Sequence, residues 1–436
     1  MFRLLPFLLL TILCPSLYAQ EFADRESWAL ARLSPWLQED LSWVPEEVEV
    51  VARYPSTDSA EALLVLSCPG RPGFVITHTL SGPEPILAYS PVHSWGERAL
   101  PPALEQWMED LIRAFALPEA RKWDFESPDY LPGSAVTPLL NTSWDQTCLY
   151  NDSCPADASA PPNLCGHVWA GCVATAMAQV MRYHACPAQG SGAKSYFSLH
   201  YGMQYAQFGN TTYGWAQMPP QLSQPAPEVA RLIYHCGVSV EMNYNLLGSG
   251  ALTTTALTAL KTYFGYSNAM NEQAAASYSP SAWANLLKSE LDAARPLIYR
   301  SEQSGGGQGH AWVVDGYDLN GLFHCNWGWG GYYNGYFSLS LLNPNLSLFN
   351  QNHGAIIGIQ PASPSLAARF TTDHQLVSAG DTLAFTDLST GQPLAWSWSF
   401  PGALPAASGT QHPQQVVYPN PGRYEVGLAV SNGTIT

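Results

Sequence analysis

Gly171-Cys172-Val173-Ala174-Thr175-Ala176-Met177-Ala178-Gln179-Val180-Met181 is the stretch from which the rest of the chain is best read. Val173, Met177, Val180, Met181 and, just beyond, His184 recur at three- and four-residue spacing, which predicts a helix with Cys172 at its N-terminus. The positive end of a helix dipole favours thiolate over thiol, which is what a nucleophilic cysteine needs. A lone cysteine at a helix start is more often a buried structural residue, so the reading needs a second element.

That element is Gly309-His310-Ala311-Trp312-Val313-Val314-Asp315-Gly316-Tyr317-Asp318, which reads as a buried strand ending in a turn, with a histidine near its start. His310 follows Cys172 by 138 positions, within the range of about 130 to 150 between nucleophile and base in papain-like proteases. Histidine suits the base because its pKa lies near neutrality. A further strand, Leu322 to Trp327, follows almost at once and carries Asn326, whose amide is placed to orient an imidazole.

GCVATAMAQVMRYH, GHAWVVDGYD and FHCNWGWGGYYNGYF, taken in order, resemble the streptopain family of bacterial cysteine proteases across residues 135–360. The resemblance implies a papain-like α+β domain, peptide-bond hydrolysis through an acyl-enzyme, protein or peptide substrates and no cofactor or metal. Carried over by residue, it implies Cys172 as nucleophile, His310 as proton acceptor and Gln146, in Trp144-Asp145-Gln146, as the oxyanion-hole donor. Asn326 and Trp327 match the pair after the histidine strand, the indole shielding the ion pair from water. Gly309, beside the histidine, and Ser249 and Gly250 in the loop Gly248-Ser249-Gly250-Ala251 resemble the substrate-contacting positions, although this loop has fewer serines than the family's. The pattern after that loop predicts a helix, Thr253 to Phe264.

The flanks fit the same scheme. Arg3, the apolar run Leu4 to Leu13 and the small residues near Ala19 read as a secretory signal, residues 1–20. The run is too short to span a bilayer, which takes about 20 residues. Residues 21–134 hold strand-like stretches at Ala62 to Ser67 and Gly73 to Thr77. An amphipathic helix follows, with Leu104, Trp107, Met108, Leu111, Ile112 and Phe115 on one face, opened by Pro101 and Pro102 and closed by Pro118. This segment resembles the inhibitory propeptide of the family, an intramolecular partner of the enzyme. A connector, Ser127 to Gly133, leads out of it. Beyond a linker marked by Pro361 and Pro364, residues 361–436 read as short alternating strands. Phe385, Trp396-Ser397-Trp398 and Gly422-Arg423-Tyr424 give them the look of a PKD-type, immunoglobulin-like β-sandwich, a module that spaces domains or contacts a surface or matrix.

Composition sets limits on the partners. Only 12% of residues are charged, and 34 acidic residues face 18 basic ones. Phosphate binding needs concentrated Lys and Arg, so nucleic acid is excluded. The chain is expected to act outside the cell. There Cys148 and Cys154 are close enough in sequence to close a small disulfide loop, although connectivity does not follow from sequence. Two other classes share the thiol and the imidazole: an adhesin built on a dead protease, and a transglutaminase-like acyl transferase.

Overall fold

The computed structural model describes residues 14–54, 63–79, 86–115, 135–302, 309–339, 353–362, 366–374, 377–391 and 393–431. The apolar run Leu4 to Leu13, Pro118, the connector Ser127 to Gly133 and Pro364 lie outside the described residues. The chain divides into two compact units, one formed by residues 1–97 and 109–127, the other by residues 98–108 and 128–436.

In the first unit a helix absent from the sequence reading, α1 (Cys14–Asp40), continues across the expected signal cleavage point. Ala29, Leu33 and Leu37 recur every four residues on one side of it and are buried with Trp43, Leu64, Leu66, Cys68 and Val75. The strands β1 (Glu49–Tyr54), β2 (Leu63–Ser67), β3 (Phe74–His78) and β4 (Ala88–Ser90) pair antiparallel in that order. Gly73, at φ 114°, precedes β3 because a Cβ there would come within 2.7 Å of the Ser90 carbonyl.

Helix α2 (Pro102–Phe115) opens where Pro101 and Pro102 place it and buries Leu104, Trp107, Met108 and Leu111. Its first turns belong to the second unit. There the Trp107 indole lies edge-on to Phe337, 5.3 Å between centroids, and its Nε1 donates to the Ser338 carbonyl at 3.1 Å.

The second unit is arranged around α3 (Cys172–His184), whose residues from Val173 to Met181 are all buried. A helix buried on every side belongs inside a core, and the small residues Ala174, Ala176 and Ala178 let neighbours approach closely. Helix α4 (Pro227–Ser239) packs on it, with the Cys236 sulfur 3.6 Å from Met181 Sδ. The hairpin β5 (Lys194–Ser198) and β6 (Gly202–Ala206) and the helix α5 (Thr253–Tyr263) complete that side. Facing it is an antiparallel sheet. Its strands are β7 (Asn271–Ala274), β8 (Leu297–Glu302), β9 (Gly309–Tyr317), β10 (Phe323–Asn326), β11 (Gly335–Phe337) and β12 (Gly354–Ile357), ordered β11-β10-β9-β8-β12-β7. Helix α6 (Pro280–Asp292) packs on β8 and β9. Ala311 and Val313 join the core beneath α3, and β9 is covered on both faces, which is why it reads as an almost unbroken apolar run.

The carboxy-terminal region is all β, as expected. Its strands β13 (Phe370–Thr372) and β15 (Phe385–Asp387), β14 (Thr382–Leu383) and β18 (Val416–Val417), and β17 (Ala407–Ser408), β16 (Ala395–Ser399) and β19 (Gly427–Ser431) form three small antiparallel sheets. They close over Leu383, Phe385, Trp398, Phe400, Val416 and Tyr418.

The expected disulfide is corrected. Cys148 bonds Cys165, with Cα atoms 5.2 Å apart, and not Cys154. Cys154 turns into the core beside Tyr244, where burial pushes its thiol up to about 12, while Cys165 lies at the surface within reach of Cys148. Six residues of separation put Cys154 close along the chain, but its side chain points the other way. Among the described residues no helix is long and apolar enough to cross a membrane.

Candidate active site

Cys172 is the first residue of α3, after Gly171 at φ 94°. Only glycine fits before it, because a Cβ there would meet Met242 at 2.6 Å and the Ser249 carbonyl at 3.2 Å. The nearby backbone N–H groups of Ala311, Val173 and Cys172 itself favour the thiolate, while the larger effect of burial raises its pKa. The N–H of Ala311 reaches the sulfur from the position directly after His310, so α3 and the start of β9 meet there. Burial lowers the His310 imidazole to about 4. Burial thus weighs against the charged form of each group, raising the thiol and lowering the imidazole.

Gln146 lies 7% exposed on the segment that leads to α3. Its carbonyl accepts from the Ala170 N–H at 3.0 Å, which ties it two residues from the thiol. Its side-chain Nε2 donates to the Gly328 carbonyl at 3.4 Å, a long bond. Asp145 accepts from the Gln146 N–H at 2.6 Å, and the Arg98 guanidinium stands 3.6 Å from its other oxygen while stacking on Tyr332. Burial raises the Asp145 pKa; the Gln146 N–H, Arg98 and Thr147 oppose that shift.

Asn326 ends β10 with its amide occupied. It donates to the Thr142 carbonyl at 2.7 Å and to Gln179 Oε1 at 3.2 Å, and accepts from Gln179 Nε2 and the Gly328 N–H, both at 3.2 Å. Among the described residues no hydrogen bond joins it to His310. Gln179, which the sequence reading passed over, also accepts from the Trp144 N–H at 3.1 Å. Being two turns along α3 from Cys172, it is the one side chain of amide type among the mainly apolar buried residues of that helix, a signal that was legible. Replacing it with leucine takes the acceptor from the buried Trp144 N–H, at about 1–3 kcal/mol, and removes two of the four hydrogen bonds of the Asn326 amide. Gln179→Leu is accordingly expected to lower the urea midpoint at unchanged m-value; an unaltered midpoint would mean that the cluster carries no stability.

Trp327 is 1% exposed, its ring 5.0 Å from both Trp312 and Phe337, with Nε1 donating to the Tyr333 carbonyl at 3.0 Å. Gly309 is exposed at the mouth of β9. Ser249 is held by its own loop, Oγ accepting from the Asn245 N–H at 3.0 Å, and Gly250 pairs with Asn243. That loop borders Gly171, and its Leu247 is 93% exposed. Beside it Trp169, bonded through Nε1 to the Leu246 carbonyl at 2.9 Å, lies 5.8 Å from Trp329. Cys172, Gln146 and the loop of Ser249 thus meet at one helix N-terminus, Asn326 joins α3 two turns further on, and His310 enters on β9.

A model of the peptidase C10 family matches residues 144–337, and a PKD domain model matches residues 367–434. A solved fragment of prointerpain A from Prevotella intermedia superposes with a TM-score of 0.60 at 31% identity, covering 68% of this chain and 95% of that one. Streptopain of Streptococcus pyogenes is 29% identical over 321 residues, 66% of this chain and 78% of its own length. The thiol protease/hemagglutinin PrtT of Porphyromonas gingivalis is 32% identical over 253 residues, 53% of this chain and only 28% of PrtT.

Proposed function

This chain belongs to the peptidase C10, or streptopain, family of cysteine proteases and carries a PKD domain, and we propose that it is a secreted endopeptidase made as a zymogen. In this reading residues 1–20 are a signal, 21–134 an inhibitory propeptide, 135–360 the catalytic domain and 361–436 the PKD module. Cys172 attacks the scissile carbonyl after passing its proton to His310, and a thioester acyl-enzyme forms as the amine leaves with that proton. Water, deprotonated by His310, then releases the acid. Gln146 donates to the oxygen that becomes negative. The observation that carries the reading is the thiol at the start of α3, reached by the N–H that follows His310.

Asn326 enters this scheme as a brace for α3 and the Gln146 segment, through Gln179 and Thr142. Trp327 backs the strand of His310 through Trp312. Gly309, Ser249 and Gly250 line the substrate side, with protein or peptide substrates entering beside the exposed Leu247. Incubating the processed protein with casein, with and without a thiol-alkylating epoxide, tests the activity. Proteolysis stopped by the reagent supports it, silence favours an adhesin, and cross-linked casein favours a transferase.

The zymogen reading draws support from the solved precursor fragment of interpain A and from residues 98–108. Trp107 is seated on Phe337 and Arg98 beside Asp145, next to Gln146. The separately produced segment 21–134 is therefore expected to inhibit peptide hydrolysis by the processed enzyme in trans, and less well when it carries Trp107→Ala. Undiminished hydrolysis at saturating, folded segment would make the amino-terminal region an accessory domain.

A further inference from the structure

Arg369 belongs to the PKD module by backbone and to the protease domain by side chain. Its N–H donates to Ser389 Oγ at 3.1 Å, and its carbonyl accepts from the Leu388 N–H at 2.8 Å, both within the module. Its guanidinium lies 3.8 Å from the centre of the Tyr183 ring, in the last turn of α3. The charge also acts on Tyr266, Arg182 and His184, which frame the same spot. His184 is edge-on to both tyrosines, and Tyr183 is fixed in turn by its hydroxyl, which donates to the Ala294 carbonyl at 3.0 Å.

Among the described residues the buried Nε of Arg369 has no hydrogen-bond partner. An arginine taken out of water needs compensation. Here the compensation comes from the face of the Tyr183 ring and from the negative end of the α3 dipole. A second bond crosses nearby, where Thr371 on β13 meets Thr137 on the arm that enters the protease domain, 2.7 Å between hydroxyl oxygens. The arm itself is paired to β9 through Val136 and Tyr317.

We propose that the PKD module is a fixed part of the protease rather than a mobile spacer, with its own catalytic domain as partner and Arg369 as the plug in a receptor made by Tyr183, His184 and Tyr266. The receptor is the far end of the helix whose first residue is Cys172, so whatever the module binds is held at a set orientation to the cleft. The docking does not depend on the assignment of the nucleophile.

The test is the tumbling of the module within the full chain. NMR relaxation of backbone amides in residues 367–431 is expected to give the same rotational correlation time as the protease domain. Arg369→Ala is expected to shorten it severalfold for the module alone, and Arg369→Lys, which keeps the cation but loses the planar stack, to shorten it less. Tyr183→Leu leaves every residue of the module intact and is expected to release it in the same way, with the double variant no looser than either single one. A module that already tumbles faster than the protease domain in the unaltered chain would overturn the proposal. So would Arg369→Ala and Tyr183→Leu chains in which the two domains still tumble together.

Discussion

Cys172→Ala is expected to abolish peptide hydrolysis, a loss of roughly a millionfold on the scale seen when the nucleophile of an acyl-enzyme is removed, and to leave the precursor at full length. The substitution removes one sulfur from a position that is only half-buried, and alanine is at ease in a helix, so the fold is expected to persist. That separates lost chemistry from lost structure. The state of the thiol gives an independent check in the unaltered precursor. Burial raises its pKa, so the thiolate fraction at neutral pH is small and grows as the pH rises. Alkylation of Cys172 is then expected to climb steadily into the alkaline range, without the neutral plateau of a preformed thiolate-imidazolium pair. Retained hydrolysis in the alanine variant would remove Cys172 from the mechanism; normal shortening of that variant in pure form would assign maturation to another protease.

What the sequence made legible follows from how local each signal is. The helices α2 and α3 could be read because each shows its apolar face within four turns, and β9 because it is buried on both sides. Helix α1 was missed: the signal-like run draws the eye, Pro35 lies inside the helix, and the stripe of Ala29, Leu33 and Leu37 is narrow. The disulfide was misread because nearness along the chain says nothing about side-chain direction, and Cys154 faces inward. Asn326 was marked as an orienter of the imidazole because sequence gives order but no distance. Its amide is taken up by Gln179 and Thr142 instead. Arg98 and Arg369 were beyond reach for a related reason. A single arginine reads as solvated surface, and only the folded chain shows one beside the Asp145 carboxylate and the other over the Tyr183 ring.

Gln146→Ala is expected to slow turnover by roughly a hundredfold to a thousandfold, the usual cost of one oxyanion donor, or about 2.7–4 kcal/mol of transition-state stabilisation. The bond that now holds the side chain is long, 3.4 Å from Nε2 to the Gly328 carbonyl, and near the weak limit for an N–H donor. Little is given up when Nε2 turns toward a substrate oxygen. The backbone of Gln146 has no such freedom: its N–H is bound to Asp145 and its carbonyl to the Ala170 N–H, so the amide pivots from a fixed base close to Cys172. Because the oxygen becomes negative only in the tetrahedral intermediate, the loss is expected in kcat with KM nearly unchanged. Gln146→Glu sharpens the test, since it keeps the length and replaces the donor with an acceptor that repels the developing charge, and it is expected to be at least as slow as alanine. Wild-type kcat in Gln146→Ala would place the oxyanion donor elsewhere, and equal losses in kcat and fold stability would reduce Gln146 to a packing residue.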